Sequence, residues 1–324
     1  MKIHLFTGIG FIFFLTAVAL LIPYPLVSEV YGLLAFFFGM KELAKYTSAF
    51  QFLTISAAAL IIGIGMDWPF EHFPFFTLAF FFAATGSLAR ILFFRTFGYT
   101  QYAWLEPVSL LLAFSVYLLG NLLFPQGWKG WVVPLPVGVF LGVYVGGIWK
   151  DKMQLLGFTK GGYKIAIGAK APDFSLPDQD GHMINLESFQ GDRHLLLVFV
   201  RGDWCPGCHM MLRTYQKEAA KFRSKNIFVL AIGPDPIGIN REMVEKLNLD
   251  FKVLSDEKQR TAMIYGVQLD KYDNDFAEKY EEGIPLPASF LVDKTGVVRY
   301  VSRPDKVGEF LDPRTIFPII ENLN

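Results

Sequence analysis

Charge is nearly missing from the first 150 residues of this 324-residue chain, which hold 12 of its 60 charged side chains. So little charge over that length excludes a single water-soluble globule, and the abundance of apolar residues excludes a disordered chain. No excess of either sign exists: 30 Lys and Arg balance 30 Asp and Glu. Neither half is strongly basic, which argues against a nucleic-acid binder. Cysteine is scarcer still, with two in the whole chain. That excludes a small secreted module stapled by disulfides. What the sequence does have is apolar bulk: 52% hydrophobic residues, including 33 Phe. The remaining 48 charges lie in the second half, whose composition is that of a soluble domain.

A membrane-spanning helix needs roughly 17–25 mostly apolar residues. Five segments meet this: Leu5–Ile22, Phe50–Met66, Phe75–Phe94, Trp104–Phe124 and Trp131–Trp149. Trp68, Tyr102, Trp104, Trp128, Trp131 and Trp149 stand near their ends, as headgroup-level anchors do. Leu26–Met40 is apolar but short, and reads as a sixth helix or an interfacial one. In Leu5–Ile22 the small residues Ala17 and Ala19 fall inside the apolar run and not after it. The segment therefore reads as an uncleaved anchor, not a signal peptide. With five helices, Lys41, Lys45, Arg90, Arg95, Lys150 and Lys152 share a side with the C-terminal half, and Lys2 and Lys129 lie opposite. With six, Lys2 joins the first side. Positive loops stay in the cytoplasm, so both counts place the C-terminal half there.

The apolar half has no cysteine and so cannot relay electrons through thiols. His4 and His72, near helix ends, read as interfacial side chains more readily than as paired haem ligands. Arg90 and Glu106 lie close to segment ends, where long side chains reach the headgroups. An intramembrane charge is otherwise a functional candidate. The glycine-rich run 138–147 suits a helix-packing face.

Residues 151–167 read as a linker and 168–324 as a separate domain. There the pattern alternates. Short strands at Asp173–Leu176 and Met183–Leu186 flank a turn, and apolar strands are expected at Leu195–Val200 and Ile227–Ile232. Strands at Ser289–Val292 and Val297–Val301 are joined by Asp293-Lys294-Thr295-Gly296. Helices are expected at Pro206–Phe222, Asn240–Leu247, Asp256–Tyr265 and Asp312–Leu323. The fold class is therefore an α-helical transmembrane bundle followed by an α/β domain.

Both cysteines lie in Trp204-Cys205-Pro206-Gly207-Cys208, between an apolar strand and a helix that opens at Pro206. A helix N-terminus carries partial positive charge and unpaired N–H groups, which favour a thiolate. Two intervening residues let the second thiol close a small disulfide ring, so a reversible dithiol couple is expected. Other chemistries share the pattern. Cys205 and Cys208 are half of a zinc site, with His209, His182 or His194 as further ligands, but no second close-spaced pair completes it. Cys-Pro-Gly-Cys-His also matches covalent haem attachment, against the strand–helix setting.

Three segments together resemble one family: Gly168 to Pro177 with the turn up to Gly181, Phe199 to Cys208, and Leu286 to Gly296. In this order and spacing the chain from Gly168 onward is similar to the thioredoxin-fold superfamily. More narrowly it resembles the peroxiredoxin-like branch, the alkyl hydroperoxide reductases and thiol-specific antioxidant proteins. The resemblance implies a redox-active Cys205–Cys208 disulfide and no other cofactor or metal. It also shows departures. If Cys208 takes the peroxide-attacking place, Arg201 stands where that family has Pro. Cys205 then stands where it has Thr, and Pro287 where it has Arg. A thioredoxin-type site fits better: Trp204 precedes the first cysteine, and Pro287 falls where thioredoxins place a cis-proline.

The roles implied are attack by Cys205, resolution by Cys208, orientation of substrate by Pro287 and cover by Trp204. Arg201 is either an electrostatic partner of the thiolate or a solvated strand-end residue. The first functional expectation is a multi-pass membrane thiol–disulfide oxidoreductase with its catalytic domain in the cytoplasm. The alternative is a thiol-dependent hydroperoxide reductase. A redox-sensing module controlling the membrane half is a third. The expected partners are the lipid bilayer, a protein disulfide or peroxide as substrate, and a soluble thiol reductant, with no nucleic acid.

Overall fold

The computed structural model describes residues 5–41, 49–93, 98–158, 163–270, 279–302 and 313–321. Lys2, His4, Lys45, Arg95, Gly161, Gly162 and Asp312 lie outside the described residues. The chain divides into two compact units, one of Met1–Phe97 with Tyr102–Lys152, the other of Gly98–Gln101 with Met153–Asn324.

The first unit is all helical: α1 (Leu5–Leu20), α2 (Pro25–Met40), α3 (Ala49–Asp67), α4 (Phe75–Leu92), α5 (Leu105–Leu123) and α6 (Pro134–Phe158). The uncertain segment before Met40 is thus a helix, entered at Pro25, where a missing N–H costs nothing. Helix α6 runs to Phe158, nine residues past the expected Trp149 end and into the segment read as linker. Three stretches, Phe50–Asp67, Leu105–Leu123 and Lys129–Phe158, are long and apolar enough to cross a membrane, and three shorter helices are apolar too. Ala35, Phe36, Ile62, Phe76, Phe80 and Val137 form the core. Gly63 permits close helix approach there, since a Cβ would meet the Phe76 carbonyl oxygen at 2.8 Å. Outward, the bundle exposes Leu111, Phe114, Leu122 and Val143, an apolar surface suited to lipid.

Arg90 and Glu106 do not reach outward, contrary to the snorkelling expectation. The Arg90 guanidinium forks onto Glu106, with Nη2 3.0 Å from Oε2, and Lys152 Nζ lies 2.7 Å from the same oxygen. All three side chains are buried. A charge removed from water needs a paired countercharge, and here two cations share one carboxylate. Helices α4, α5 and α6 are thereby joined.

In the second unit, the hairpin β1 (Ser175–Pro177) and β2 (Met183–Asn185) precedes a five-stranded sheet. Its order is β5-β4-β3-β8-β9, with β3 at His194–Phe199, β4 at Ile227–Gly233, β5 at Lys252–Ser255, β8 at Ala288–Val292 and β9 at Val298–Val301. Strands β3, β4 and β5 run parallel, while β8 and β9 are antiparallel additions. Every residue of β3 is buried, as a central strand with both faces covered requires. Helix α7 (Pro206–Lys217) follows β3 and buries Cys208, Met211, Leu212 and Tyr215, the apolar stripe of an amphipathic helix. The expected single helix from Pro206 breaks at Glu218, and Ala219–Ser224 forms a separate α8. Phe222 on that second piece stacks on Tyr215, with ring centres 5.9 Å apart. Helix α9 (Ile237–Leu247) leads to β5, and α10 (Arg260–Tyr265) follows. Strand β5 and the small β6–β7 pair (Gln268–Leu269, Ile284–Pro285) have no counterpart in the sequence reading. Helix α11 (Phe317–Glu321) ends the described chain and is shorter than expected.

Candidate active site

Strand β3 delivers the chain to the C-terminal edge of the sheet, where parallel α/β folds place their sites. There Gly202 turns it with φ +121°, and Cys205 becomes the N-cap of α7. A side chain at 202 would strike the Tyr280 hydroxyl, with a Cβ–Oη distance of 2.5 Å. Pro206 at the first helical position sacrifices no hydrogen bond.

The two cysteines are free thiols in van der Waals overlap, their sulfurs 2.6 Å apart. The Cys208 backbone N–H donates to Cys205 Sγ at 3.2 Å, and the Arg201 N–H donates to Cys208 Sγ at 3.4 Å. Both sulfurs are shut away from solvent, with Cys205 1% and Cys208 2% exposed. Burial alone would push both thiols up. In Cys205 it is overcome by the Cys208 thiol hydrogen bond, the Arg201 charge and the Cys208 N–H, which bring it down to about 6. In Cys208 burial is reinforced by the neighbouring Cys205 thiolate, and the thiol is raised well above its ordinary range. The arrangement favours a thiolate at Cys205 and a thiol at Cys208, with Cys208 as donor.

Arg201 is buried, its guanidinium carbon 5.2 Å from the centre of the Trp204 ring. It is therefore no solvated strand-end residue. Cys205, Cys208, Arg201 and Trp204 lie together at this edge. Pro287 lies one step beyond the Phe199–Ala288 pair of the β3–β8 ladder, at the same edge of the sheet. Its peptide bond is trans: the cis bond among the described residues is Trp68–Pro69. The cis-proline expectation is corrected; the residue before Pro287, Leu286, donates its N–H to Val267 O at 2.6 Å.

Several polar residues at this edge escaped sequence reading. Asp203 Oδ1 accepts from His209 Nε2 at 3.0 Å and from Lys246 Nζ at 2.7 Å. Burial opposes its charge, yet these two partners hold the Asp203 carboxyl at about 2. His209 is fully buried against this carboxylate, which leaves no open ring presented to a haem iron. His194 starts β3 and the cysteines follow its far end, about 17 Å away at strand spacing, so it is no partner in a zinc site. Among the described residues one group of three side chains has metal-ligand proximity: Asp178, Asp180 and His182. It is a turn, in which Asp178 accepts from the Asp180 and His182 backbone N–H groups and from Lys252.

A profile described as the AhpC/TSA family matches residues 167–301. Over 153 residues the chain is 31% identical to peroxiredoxin Q, chloroplastic, of Oryza sativa subsp. japonica, covering 46% of this chain and 66% of that protein. It is 33% identical over 137 residues to the putative peroxiredoxin bcp of Coxiella burnetii, covering 42% of this chain and 87% of that one. To peroxiredoxin Bcp of Escherichia coli K12 the identity is 35% over 134 residues, covering 41% and 83%. The likeness thus extends over most of two bacterial proteins, about two thirds of the rice protein and less than half of this chain. A buried thiol pair heading the helix after the central strand, within a sheet that carries these similarities, makes the chain a member of the AhpC/TSA family, a peroxiredoxin-type thiol oxidoreductase joined to a bundle of apolar helices.

Proposed function

We propose that this protein is a membrane-anchored, thiol-dependent hydroperoxide reductase in which Cys205 attacks and Cys208 resolves. The observation that carries this reading is the burial of both sulfurs beside a lowered Cys205 thiol. A hydroperoxide is small enough to reach a buried thiolate, whereas a protein disulfide needs an exposed one. The peroxiredoxin names of the relatives point the same way, and the trans bond before Pro287 weakens the thioredoxin-type reading.

The Cys205 thiolate attacks the distal peroxide oxygen, and the O–O bond breaks. The alkoxide (or hydroxide) leaves and takes a proton from solvent, giving an alcohol or water and a Cys205 sulfenic acid. The Cys208 sulfur then attacks Cys205 Sγ. The S–S bond forms, and the departing hydroxide leaves as water with the Cys208 proton. The two electrons are restored when an external dithiol reduces the disulfide. Arg201 stabilises the thiolate and the developing oxyanion, and Trp204 covers the pair.

We place residues 168–324 as the redox domain, on the cytoplasmic side, reduced by a soluble thiol system. The cation-rich loops support that side. The test is peroxide consumption by the full chain in detergent or nanodiscs with a dithiol reductant. Turnover is expected, abolished by Cys205→Ser and reduced to a single event by Cys208→Ser. Absence of peroxide turnover, with Cys205-dependent reduction of a protein disulfide, would overturn the proposal in favour of a disulfide oxidoreductase.

A further inference from the structure

We infer that Asp235 is a positioning residue for Cys205, acting through the loop that holds Arg201. Asp235 follows β4 and is completely buried. Its two carboxylate oxygens serve different donors. Oδ2 accepts from the Asp203 backbone N–H at 2.6 Å, and Oδ1 accepts from the Tyr280 hydroxyl at 2.6 Å. Lys279 Nζ stands 3.4 Å from Oδ1. The Asp235 backbone carbonyl is fixed as well, by Ser255 Oγ at 2.6 Å and Asn240 Nδ2 at 3.0 Å. The carboxylate is therefore a rigid anchor, held from β5 and α9, that reaches across to the neighbouring loop.

That loop contains the groups that set the thiolate. Arg201 supplies the charge, Gly202 the left-handed turn, and the Gly202 carbonyl accepts the Cys205 N–H at 3.2 Å. The Asp203 N–H ties this turn to Asp235. A buried carboxylate in the neighbourhood of a thiolate can only disfavour it through charge, since like charges repel. Its presence here is explained by geometry: it holds the turn that brings Arg201 over the site. This gives the two explanations opposite signs. If Asp235 acted through charge, its removal would lower the Cys205 midpoint. If it positions Arg201, removal raises it.

The inference concerns the site proposed above as a peroxide-reducing centre, but its readout is independent of peroxide. The experiment is the pH dependence of iodoacetamide alkylation at Cys205 in the reduced full chain, read by mass spectrometry. Asp235→Asn keeps the size but leaves a single acceptor oxygen for the Asp203 N–H, the Tyr280 hydroxyl and Lys279. Its midpoint is expected to rise by about one pH unit, a tenfold loss of thiolate well below the midpoint. In an Arg201→Gln background the same change is expected to raise it no further. Gly202→Ala, which forces the turn off Asp235 without altering charge, is expected to raise it too and serves if Asp235→Asn does not fold. A midpoint that falls or stays, or a rise that persists without Arg201, would overturn the inference. Loss of peroxide turnover with an unmoved midpoint would count against it equally. A shifted midpoint in a protein that never reduces peroxide would leave it standing and remove the peroxidase reading.

Discussion

Replacing Arg201 with Gln removes one positive charge beside Cys205 while keeping a polar side chain and the backbone N–H that serves Cys208. An opposite charge within about 4–6 Å is worth roughly 1–3 pH units to an ionised group. Taking one unit, or about 1.4 kcal/mol, moves Cys205 from about 6 to about 7. At pH 6 the thiolate fraction then falls from about a half to about a tenth. The remaining thiolate is more nucleophilic, by about threefold for one unit at a Brønsted slope near 0.45. The variant should therefore alkylate about twofold more slowly than wild type at pH 6 and about threefold faster at pH 9. The two rate profiles cross between pH 6 and 7. Alkylation of Cys205 followed from pH 5 to 9 measures this directly. Parallel profiles with a common midpoint would refute the claim that Arg201 sets the thiolate, and would return it to a packing role against Trp204.

Cys208→Ala should raise the Cys205 midpoint as well, since it deletes the thiol that donates to the thiolate; alkylation profiles check this. Asp203→Asn should cost about 2 kcal/mol of stability at neutral pH, because the folded carboxyl is held at about 2 against an unfolded value near 3.9. A depressed carboxyl stabilises above the unfolded value and loses that contribution as pH falls toward the folded one. The wild-type and variant denaturation midpoints should accordingly converge between pH 4 and 2. Glu106→Gln removes the carboxylate that buried Arg90 and Lys152 share, and a loss of about 3–5 kcal/mol is expected, seen as a lowered thermal midpoint of the full chain in detergent.

The part of this protein legible in its sequence is the part written in local pattern. The run Leu195–Val200 announced a buried central strand, and Cys205-Pro206 announced a helix start, because both depend on neighbours in the chain. Strand β5, four residues at the sheet edge, has too short a period to be distinguished from loop. Asp235 and Tyr280 were invisible for another reason. They are polar loop residues far from the cysteines in sequence, Asp235 brought to the site by parallel β4 ending at this edge and Tyr280 by the segment before β7. Arg90 and Glu106 are visible in the sequence, but their partner is not. A charge near a helix end looks like a headgroup contact until a third helix brings Lys152 to it. Pro287 was placed at the right edge with the wrong peptide geometry, since sequence similarity carries position more faithfully than isomer state.

The Arg90–Glu106–Lys152 cluster also imposes an order on biogenesis. Arg90 and Glu106 lie on consecutive helices and are synthesised first, so they can enter the bilayer together as a neutral hairpin. Lys152 emerges last, at the end of α6, and can leave water only where that hairpin already presents its carboxylate. The carboxylate that Lys152 meets is thus on a helix made before its own. The redox domain, which begins just beyond it, leaves the ribosome only after that segment has been made.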